Sequence, residues 1–471
     1  MAVLNRRDWR ALAALSLALP IVAGPAHAAL LEVGAGKPYA TIQAATDAAQ
    51  PGDTVLVHPG VYTDAQTYEF AGTRSTLVHI KKSGTEAAAL TLKAAGPGVV
   101  LDGGGATTNC VWGRDLAYVV VDGFECRNVN VESGASGTGA MHFYMSRFIT
   151  IQNNYIHAVI QSNYETKPLI YIQATTDSRV RGNRLSARSI GITVSQGSAR
   201  TTIEANEIHG NDTGIADCNN PDAPDFGNGI YLSSNSPDSV ITRNYIHDYG
   251  HSAVQIRDSV GVTFSYNVVY NAHGTKPSWC MNWGVQLRDW DTTGPGPNEH
   301  DQHRVFNNVI DTAMYGLTFT AQNDSVVTNN IIMNVKAVFM DSHWSETAGT
   351  KPPSTGLLFD YNLYFNYEKL YEDFTNADCY GGCPDTGYTD GGHNLVGVNP
   401  GLVASGARPL PYYRLVAGSP AIDAGDPATP PGNDFAGTVV PLGPRADIGA
   451  FEYAAGADTL APAAPTNLTV Q

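Results

Sequence analysis

The chain has 471 residues and a formal net charge of −16, because 44 Asp and Glu side chains outnumber 28 Lys and Arg side chains. Nucleic-acid binding depends on clustered basic groups that neutralise phosphates and release counterions. The charge balance therefore argues against a nucleic-acid partner.

The N-terminus has the features of a secretory signal peptide. Arg6, Arg7 and Arg10 precede an apolar run that ends at Ala26-His27-Ala28, which matches an A-x-A cleavage site. We predict a signal peptide over residues 1–28, whose removal with three Arg and Asp8 leaves a net charge of −18. The apolar run is shorter than the roughly 20 residues of a membrane span, and no later segment is comparable. We expect a secreted monomer, extracellular or periplasmic, without a membrane span. An acidic secreted protein is also suited to binding Ca²⁺ through oxygen ligands.

The six cysteines form an even set, which in an exported protein favours disulfides over metal thiolates or a catalytic thiol. They are Cys110, Cys126, Cys218, Cys280, Cys379 and Cys383. Their connectivity is left open by the sequence.

Residues TIQAATDAA, near position 41, predict a short amphipathic helix that is followed by a strand. From about residue 116 to 365 the chain then repeats a unit of alternating apolar residues, an Asn, a turn and a second short strand. The short intervals between the Asn residues, 22 and 23, fit one coil of a solenoid whose inner apolar residues pack on the next coil. An Asn at one turn position in each coil can stack into a hydrogen-bonded ladder. The repeated residues are Asn154, Asn183, Asn206, Asn244, Asn267, Asn308, Asn330 and Asn362.

Over residues 33–395 this pattern resembles the right-handed parallel β-helix family of secreted carbohydrate-active proteins, the pectate-lyase-like superfamily. The resemblance implies an all-β solenoid over residues 29–395 with an N-terminal capping helix. The motifs SPAIDAGDP and RADIGAFEY resemble a C-terminal tail of such proteins, predicted for residues 396–456, and residues 457–471 resemble the start of a fibronectin type III module. The catalytic signatures of the pectate, alginate and chondroitin lyase branches are not found, so no catalytic residue is carried over.

The strands after each turn predict two outward-facing columns on one sheet face, because alternate side chains of a strand point to opposite sides. Extra loops around residues 217–228, 273–283, 290–303 and 343–356 are expected beside this face. The first column is His142, Tyr171, Thr193, Tyr231, Gln255, Gln286, Thr318 and Phe339, and the second is Tyr144, Gln173, Ser195, Ser233, Arg257, Arg288, Thr320 and Asp341.

The repeated QIRD and QLRD segments stack Arg257 near Arg288 and Asp258 near Asp289. One interpretation is a self-neutralising ladder of charges on the solenoid surface. The functional interpretation is a clamp on the carboxylate of a uronate sugar, which makes its C5 proton acidic enough to be removed. In that case Arg257 and Arg288 bind the carboxylate, Tyr231 or His300 transfers the proton, and Asp258, Asp289 and Asp341 position Arg or Ca²⁺.

The sequence thus predicts a polysaccharide lyase that acts on an extracellular uronate-containing polymer. We expect further substrate contacts from His142, Tyr171, Gln255, Gln286, Asp341, His343 and Trp344. The second hypothesis is a glycoside hydrolase whose two catalytic carboxylates come from the set Asp217, Asp258, Asp289, Asp291 and Asp341. The third is a non-catalytic carbohydrate-binding or surface protein, since the fold alone does not fix the function.

Overall fold

The computed structural model describes residues 28–131, 138–161, 167–187, 189–210, 227–271, 283–289, 302–342, 354–374 and 387–455. Residues 1–27 of the predicted signal peptide and the whole fibronectin-like segment, residues 457–471, lie outside these ranges. So do Cys218, Cys280, Cys379 and Cys383.

The predicted capping helix is confirmed as Ile42–Ala48. The Thr41 side chain accepts a hydrogen bond from the backbone N–H of Ala44 and thereby satisfies one free donor at the helix N-terminus. Ile42 and Ala45 are buried against the first coils. The helix therefore covers the end of the solenoid.

The rest of the described chain forms a right-handed parallel β-helix with three faces, as the sequence predicts. Each coil contributes a strand to face 1, then to face 2 and then to face 3. Face 1 is a parallel sheet of 13 strands. They are Leu30–Val33, Thr54–Val57, Leu90–Ala94, Ala117–Asp122, Arg147–Gln152, Arg179–Arg181, Thr202–Glu204, Val240–Thr242, Thr263–Ser265, Arg304–Phe306, Val326–Thr328, Leu357–Asp360 and Tyr388–Asp390.

Faces 2 and 3 meet in a second sheet, because two long strands, Ile331–Ser342 and Leu363–Phe374, run across both faces. The other strands of face 2 are Gly60–Tyr62, Val99–Asp102, Glu125–Arg127, Tyr155–His157, Arg184–Ala187, Glu207–Gly210, Tyr245–His247, Val268–Tyr270, Val309–Asp311 and Leu395–Val396. The other strands of face 3 are Thr73–Ile80, Asn109–Arg114, Met141–Tyr144, Pro168–Gln173, Ile190–Ser195, Ile230–Leu232, Ser252–Arg257, Trp283–Arg288 and Tyr315–Thr320.

Two antiparallel pairs lie outside this pattern. Gln66–Glu69 pairs with Thr73–Ile80 in a hairpin at the first coil of face 3. Gly432–Asn433 pairs with Val439–Val440 in the C-terminal tail.

The asparagine ladder is confirmed and occupies the turn between faces 1 and 2. From Asn154 to Asn362, each side-chain N–H donates to the side-chain oxygen of the next Asn at 2.9–3.1 Å, and Asn394 extends the ladder by one coil. The amides also donate to backbone carbonyls, as Asn267 does to Ile241 and Ser265. The ladder therefore satisfies polar groups in a turn that is buried.

Apolar side chains from all three faces pack into one continuous core along the axis. The C-terminal tail packs on face 2, where Tyr413 and Ile448 contact a cluster that includes Val309. The Tyr413 hydroxyl donates to Asp311 at 2.7 Å, which fixes the tail to the solenoid. A disulfide joins Cys110 to Cys126 inside the core. No helix among the described residues is long and apolar enough to cross a membrane.

Candidate functional site on face 3

The first outward-facing column is confirmed from His142 to Thr318. Strand register pairs each residue of this column with the next one, including Tyr231 with Gln255 and Gln255 with Gln286. In the second column Arg257 pairs directly with Arg288. The alternation in sequence therefore predicts correctly which side chains point away from the core.

The prediction is wrong for the last strand. Phe339 pairs with Leu317 and Asp341 with Phe319, so both lie in the inward-facing columns. The carboxylate of Asp341 is buried and accepts two hydrogen bonds of 2.9 Å from the backbone N–H and the hydroxyl of Ser354. The segment VFMDS begins with three apolar residues, so alternation does not decide which of them face inward.

Face 3 differs from face 1 in the burial of its outward-facing side chains. On the face 1 strand Arg179–Arg181 the outward-facing arginines are exposed. On the face 3 strand Ile190–Ser195, Thr193 and Ser195 are buried although they point away from the core. Face 3 is therefore the enclosed face, the kind of position in which ligand sites usually lie.

Arg257, Tyr231 and Asp258 form the centre of the candidate site. The Arg257 guanidinium donates to the Tyr231 hydroxyl oxygen at 3.2 Å and to the Asp258 carboxylate at 3.1 Å. Tyr231 is only 7% exposed. Arg257 thus holds the Tyr231 oxygen as an acceptor, since a guanidinium only donates.

The electrostatic balance keeps Arg257 charged. Burial by itself disfavours the guanidinium ion, but the neighbouring Tyr231 and Asp258 outweigh it and raise the pKa of Arg257. Register places Arg288 on the next coil, about 4.8 Å away along the axis. Two guanidinium groups at one coil spacing could bind the carboxylate of a ligand, which would share Arg257 with Asp258.

Several buried polar atoms around the two arginines have no hydrogen-bond partner among the described residues. They are the side-chain oxygens of Gln286, Thr318 and Thr320 and the indole nitrogen of Trp283. Gln286 is the register neighbour of both Gln255 and Thr318. A buried polar atom without a partner costs free energy, but these side chains are as closed to a ligand as any core residue, since Gln286, Thr318 and Thr320 are all buried.

His251 was not among the site residues predicted from the sequence. Its ring contacts Trp283 edge-on with centroids 4.5 Å apart, and its Nδ1 lies 3.2 Å from the Asn228 oxygen and 3.0 Å from the Ser252 hydroxyl. Burial, together with the positive charge of Arg288, lowers the pKa of His251 to about 3. His251 is therefore neutral.

Gln255 and His142, both predicted to bind substrate, have partners within the protein. Gln255 accepts a hydrogen bond of 3.2 Å from Asn228. His142 is fully buried beneath the hairpin, where it contacts Phe70 and Trp112, stacks on Tyr171 and bonds to Gln173 at 2.9 Å. Burial lowers the pKa of His142 to about 3. His142 thus belongs to a packed aromatic cluster and is not open to a substrate.

The carboxylates do not form a clear calcium site. Asp258 is bound to Arg257, Asp289 is buried, and no three His, Cys, Asp or Glu side chains converge within the described ranges. Ca²⁺ normally takes six to eight oxygen ligands, so Asp258 and Asp289 alone do not fit it. A calcium requirement stays a prediction.

The predicted site residues His300, His343 and Trp344 lie outside the described part of the chain, as do Asp217 and Asp291 and most of the expected loops. His303, which follows His300 in one of those loops, is described. It is buried at face 1, where its Nδ1 accepts a hydrogen bond from the backbone N–H of Val262.

Residues 78–293 match the family described as the right handed beta helix region. No curated protein matches this chain. Among solved structures, the complex of XylC with xylose has 14% identity and a TM-score of 0.51, over 72% of this chain and 75% of that one.

Pectate lyase Pel9A has 14% identity and a TM-score of 0.42, over 90% of this chain and 96% of its own. PfbA, a surface adhesin of Streptococcus pneumoniae, has 11% identity and a TM-score of 0.49, over 72% and 89%. At such low identity these likenesses concern the fold alone.

Proposed function

We propose that this right-handed parallel β-helix protein is a secreted polysaccharide lyase, which cleaves a uronate-containing polysaccharide by β-elimination. The observation that carries the proposal is the pair of register neighbours Arg257 and Arg288, with the Arg257 guanidinium 3.2 Å from the Tyr231 oxygen. Two cations beside a potential proton acceptor are what elimination from a uronate needs.

In the proposed reaction Arg288, with Arg257, neutralises the carboxylate at C5 of the sugar. The C5 proton passes to the Tyr231 oxygen in its deprotonated form, which the adjacent Arg257 guanidinium stabilises. The electron pair left at C5 forms the C4=C5 double bond as the bond between C4 and the glycosidic oxygen breaks. The leaving oxygen takes the proton back from the Tyr231 hydroxyl, which restores the deprotonated Tyr231 oxygen, so the products are a new chain end and an unsaturated uronate.

A hydrolase mechanism has less support from the described residues. It needs two carboxylates on opposite sides of the scissile bond. Asp341 faces inward and is bonded to Ser354, while Asp258 is held by Arg257. The elimination mechanism uses the groups that face the enclosed surface.

The decisive experiment is a measurement of ultraviolet absorbance from unsaturated uronates. The mature protein is mixed with pectate, alginate, glucuronan and glycosaminoglycans, in calcium and in chelator. We expect absorbance to rise on one of these polymers and to be lost with Arg288→Ala and with Arg257→Ala.

Arg114→Ala is the matched control, because Arg114 lies in the same column as Arg257 and is also bonded to the next residue, with 3.2 Å between Arg114 and Asp115. It lies five coils away, roughly 24 Å along the axis, so it should retain full activity. New reducing ends without absorbance would show hydrolysis, and no change in either would show that the chain does not cleave these polymers. Both results would refute the proposal.

A further inference from the structure

The neutral histidine of face 3, His251, takes no part in the elimination proposed above. It lies one residue before the strand Ser252–Arg257. Its ring is buried and contacts Trp283 edge-on, with the ring centroids 4.5 Å apart. A buried polar ring has to be satisfied by hydrogen bonds, so the partners of His251 indicate what it holds in place.

Two glycines bring the coil of His251 close to the preceding coil. The backbone N–H of His251 donates to the Gly227 carbonyl at 3.0 Å. A Cβ atom on Gly227 would lie only 3.1 Å from the backbone nitrogen of Gly250, which is tighter than most Cβ contacts. The two backbones therefore approach each other at the point where the His251 ring reaches Asn228.

The hydrogen bonds of His251 fix which of its ring nitrogens carries the proton. Nδ1 lies 3.2 Å from the side-chain oxygen of Asn228, and this oxygen can only accept. Nδ1 therefore donates, and the neutral ring carries its lone pair on Nε2. Burial, together with the positive charge of Arg288, lowers the pKa of His251 to about 3, so the ring stays neutral near neutral pH.

Asn228 extends this chain of hydrogen bonds to the strand of Arg257. Its oxygen accepts from His251, and its side-chain N–H group donates to the Gln255 oxygen at 3.2 Å. Gln255 is the register neighbour of Tyr231 and precedes Arg257 by two residues. Asn228 precedes Tyr231 by three residues. The chain from His251 through Asn228 to Gln255 thus ties the coil of Tyr231 to the coil of Arg257.

We propose that His251 is a positioning residue, which acts through Asn228 and Gln255 to hold the Tyr231 oxygen against the Arg257 guanidinium. In this role it touches neither the substrate nor the reacting atoms. The contact that it holds, 3.2 Å between Arg257 and Tyr231, stabilises the deprotonated Tyr231 oxygen of the proposed reaction. The effect on rate therefore rests on the proposed function, whereas the chain of hydrogen bonds does not.

The protonation of the ring is tested first, on the mature protein with isotope-labelled histidine. In nuclear magnetic resonance spectra of the ring nitrogens, His251 should be neutral and protonated on Nδ1 from about pH 5 to about pH 8. The variant His251→Phe lacks both nitrogens and identifies the His251 signals. A proton on Nε2, or a titration within this range, would contradict the chain of hydrogen bonds.

Initial rates of absorbance increase then test the positioning. His251→Phe keeps a ring beside Trp283 but removes the donor to Asn228. Its kcat should fall by about tenfold or more, because the proton acceptor is less well placed. The rise of kcat with pH should also move to higher pH, because a looser Arg257 stabilises the deprotonated Tyr231 less. A purely structural loss would lower kcat without moving the pH profile.

His251→Asn guards against an effect of folding. Its side-chain N–H group can take the place of the Nδ1–H group, so this variant should recover most of the rate and the parent's pH profile. If both variants fold and His251→Asn is as impaired as His251→Phe, the hydrogen bond to Asn228 is not the cause and the proposal is wrong.

His209→Phe is the matched control, because His209 lies in the coil of Tyr231 but on face 2. Its Nδ1 also faces an oxygen that only accepts, the Gly210 carbonyl at 3.0 Å, and burial lowers its pKa as well. This variant should keep the kcat and the pH profile of the parent. The proposal is wrong if His251→Phe keeps both, or if His209→Phe loses them equally. If the parent eliminates no polymer, the proposed function fails and the positioning role with it, while the ring protonation still decides whether the chain of hydrogen bonds exists.

Discussion

Replacing Tyr231 by Phe removes a single oxygen atom from the proposed site. That oxygen accepts a hydrogen bond of 3.2 Å from Arg257, which keeps its contact with Asp258 in the variant. The free energy of unfolding should therefore fall only modestly, by about 1–2 kcal/mol. If the oxygen is the proton acceptor, the rate of elimination should fall much more, by about 10²–10⁴-fold.

Tyr171→Phe provides the control for this change. Tyr171 lies in the same column, is similarly buried, and its hydroxyl forms a hydrogen bond of 3.0 Å with Ser195. Although the sequence predicted a substrate contact for Tyr171, the structure stacks its ring on buried His142, two coils from Tyr231. Its variant should therefore lose a similar amount of stability, measured by chemical denaturation, and should keep its rate. Initial rates of absorbance increase at saturating and limiting polymer separate kcat from KM. If Tyr231→Phe keeps a kcat within about threefold of the parent, Tyr231 is not the proton acceptor.

Three further predictions concern stability. Asn267→Ala should lower the free energy of unfolding by about 3 kcal/mol in chemical denaturation, because the buried amide in the middle of the ladder makes several hydrogen bonds that the variant loses. An equal loss of stability in Asn394→Ala, at the end of the ladder, would contradict this prediction. Replacing both Cys110 and Cys126 by Ala should cost about 3 kcal/mol in the same assay, because the disulfide closes a short loop, and an unchanged midpoint would refute it. Burial raises the pKa of Glu452 to about 7, so the protonated side chain stabilises the folded tail. This contribution to stability is complete below the ordinary pKa of a Glu side chain and is lost as the pH rises through 7. Hydrogen exchange of the tail amides, corrected for intrinsic rates, should be faster at pH 8 than at pH 5, and Glu452→Gln should reduce the difference.

The solenoid could be predicted from the sequence because its two signals are local and repeated. Alternating apolar residues indicate which side chains fill the core, and an Asn in each coil marks the same turn. The structure confirms both, down to the ladder from Asn154 to Asn362. The alternation failed at Phe339 and Asp341, where consecutive apolar residues make the inward-facing set ambiguous.

The environment of the outward-facing residues could not be predicted in the same way. Alternation indicates that His142 points away from the core but not that the hairpin Gln66–Ile80 lies over it. Likewise, His251 became a candidate site residue only because it contacts Trp283 and Asn228, which come from other coils. Side chains that are brought together by the stacking of coils are not separated by a fixed number of residues in the sequence.

The proposed site depends on the ladder for its geometry. Asn244 lies in the coil of Arg257 and Asn267 in the coil of Arg288, and their hydrogen bond of 3.0 Å holds these two coils in register. Because register fixes the backbone of Arg257 beside that of Arg288 at one coil spacing, the separation of the two residues does not depend on the placement of a loop. A carboxylate bound between the two arginines would therefore meet side chains that start from a fixed backbone spacing.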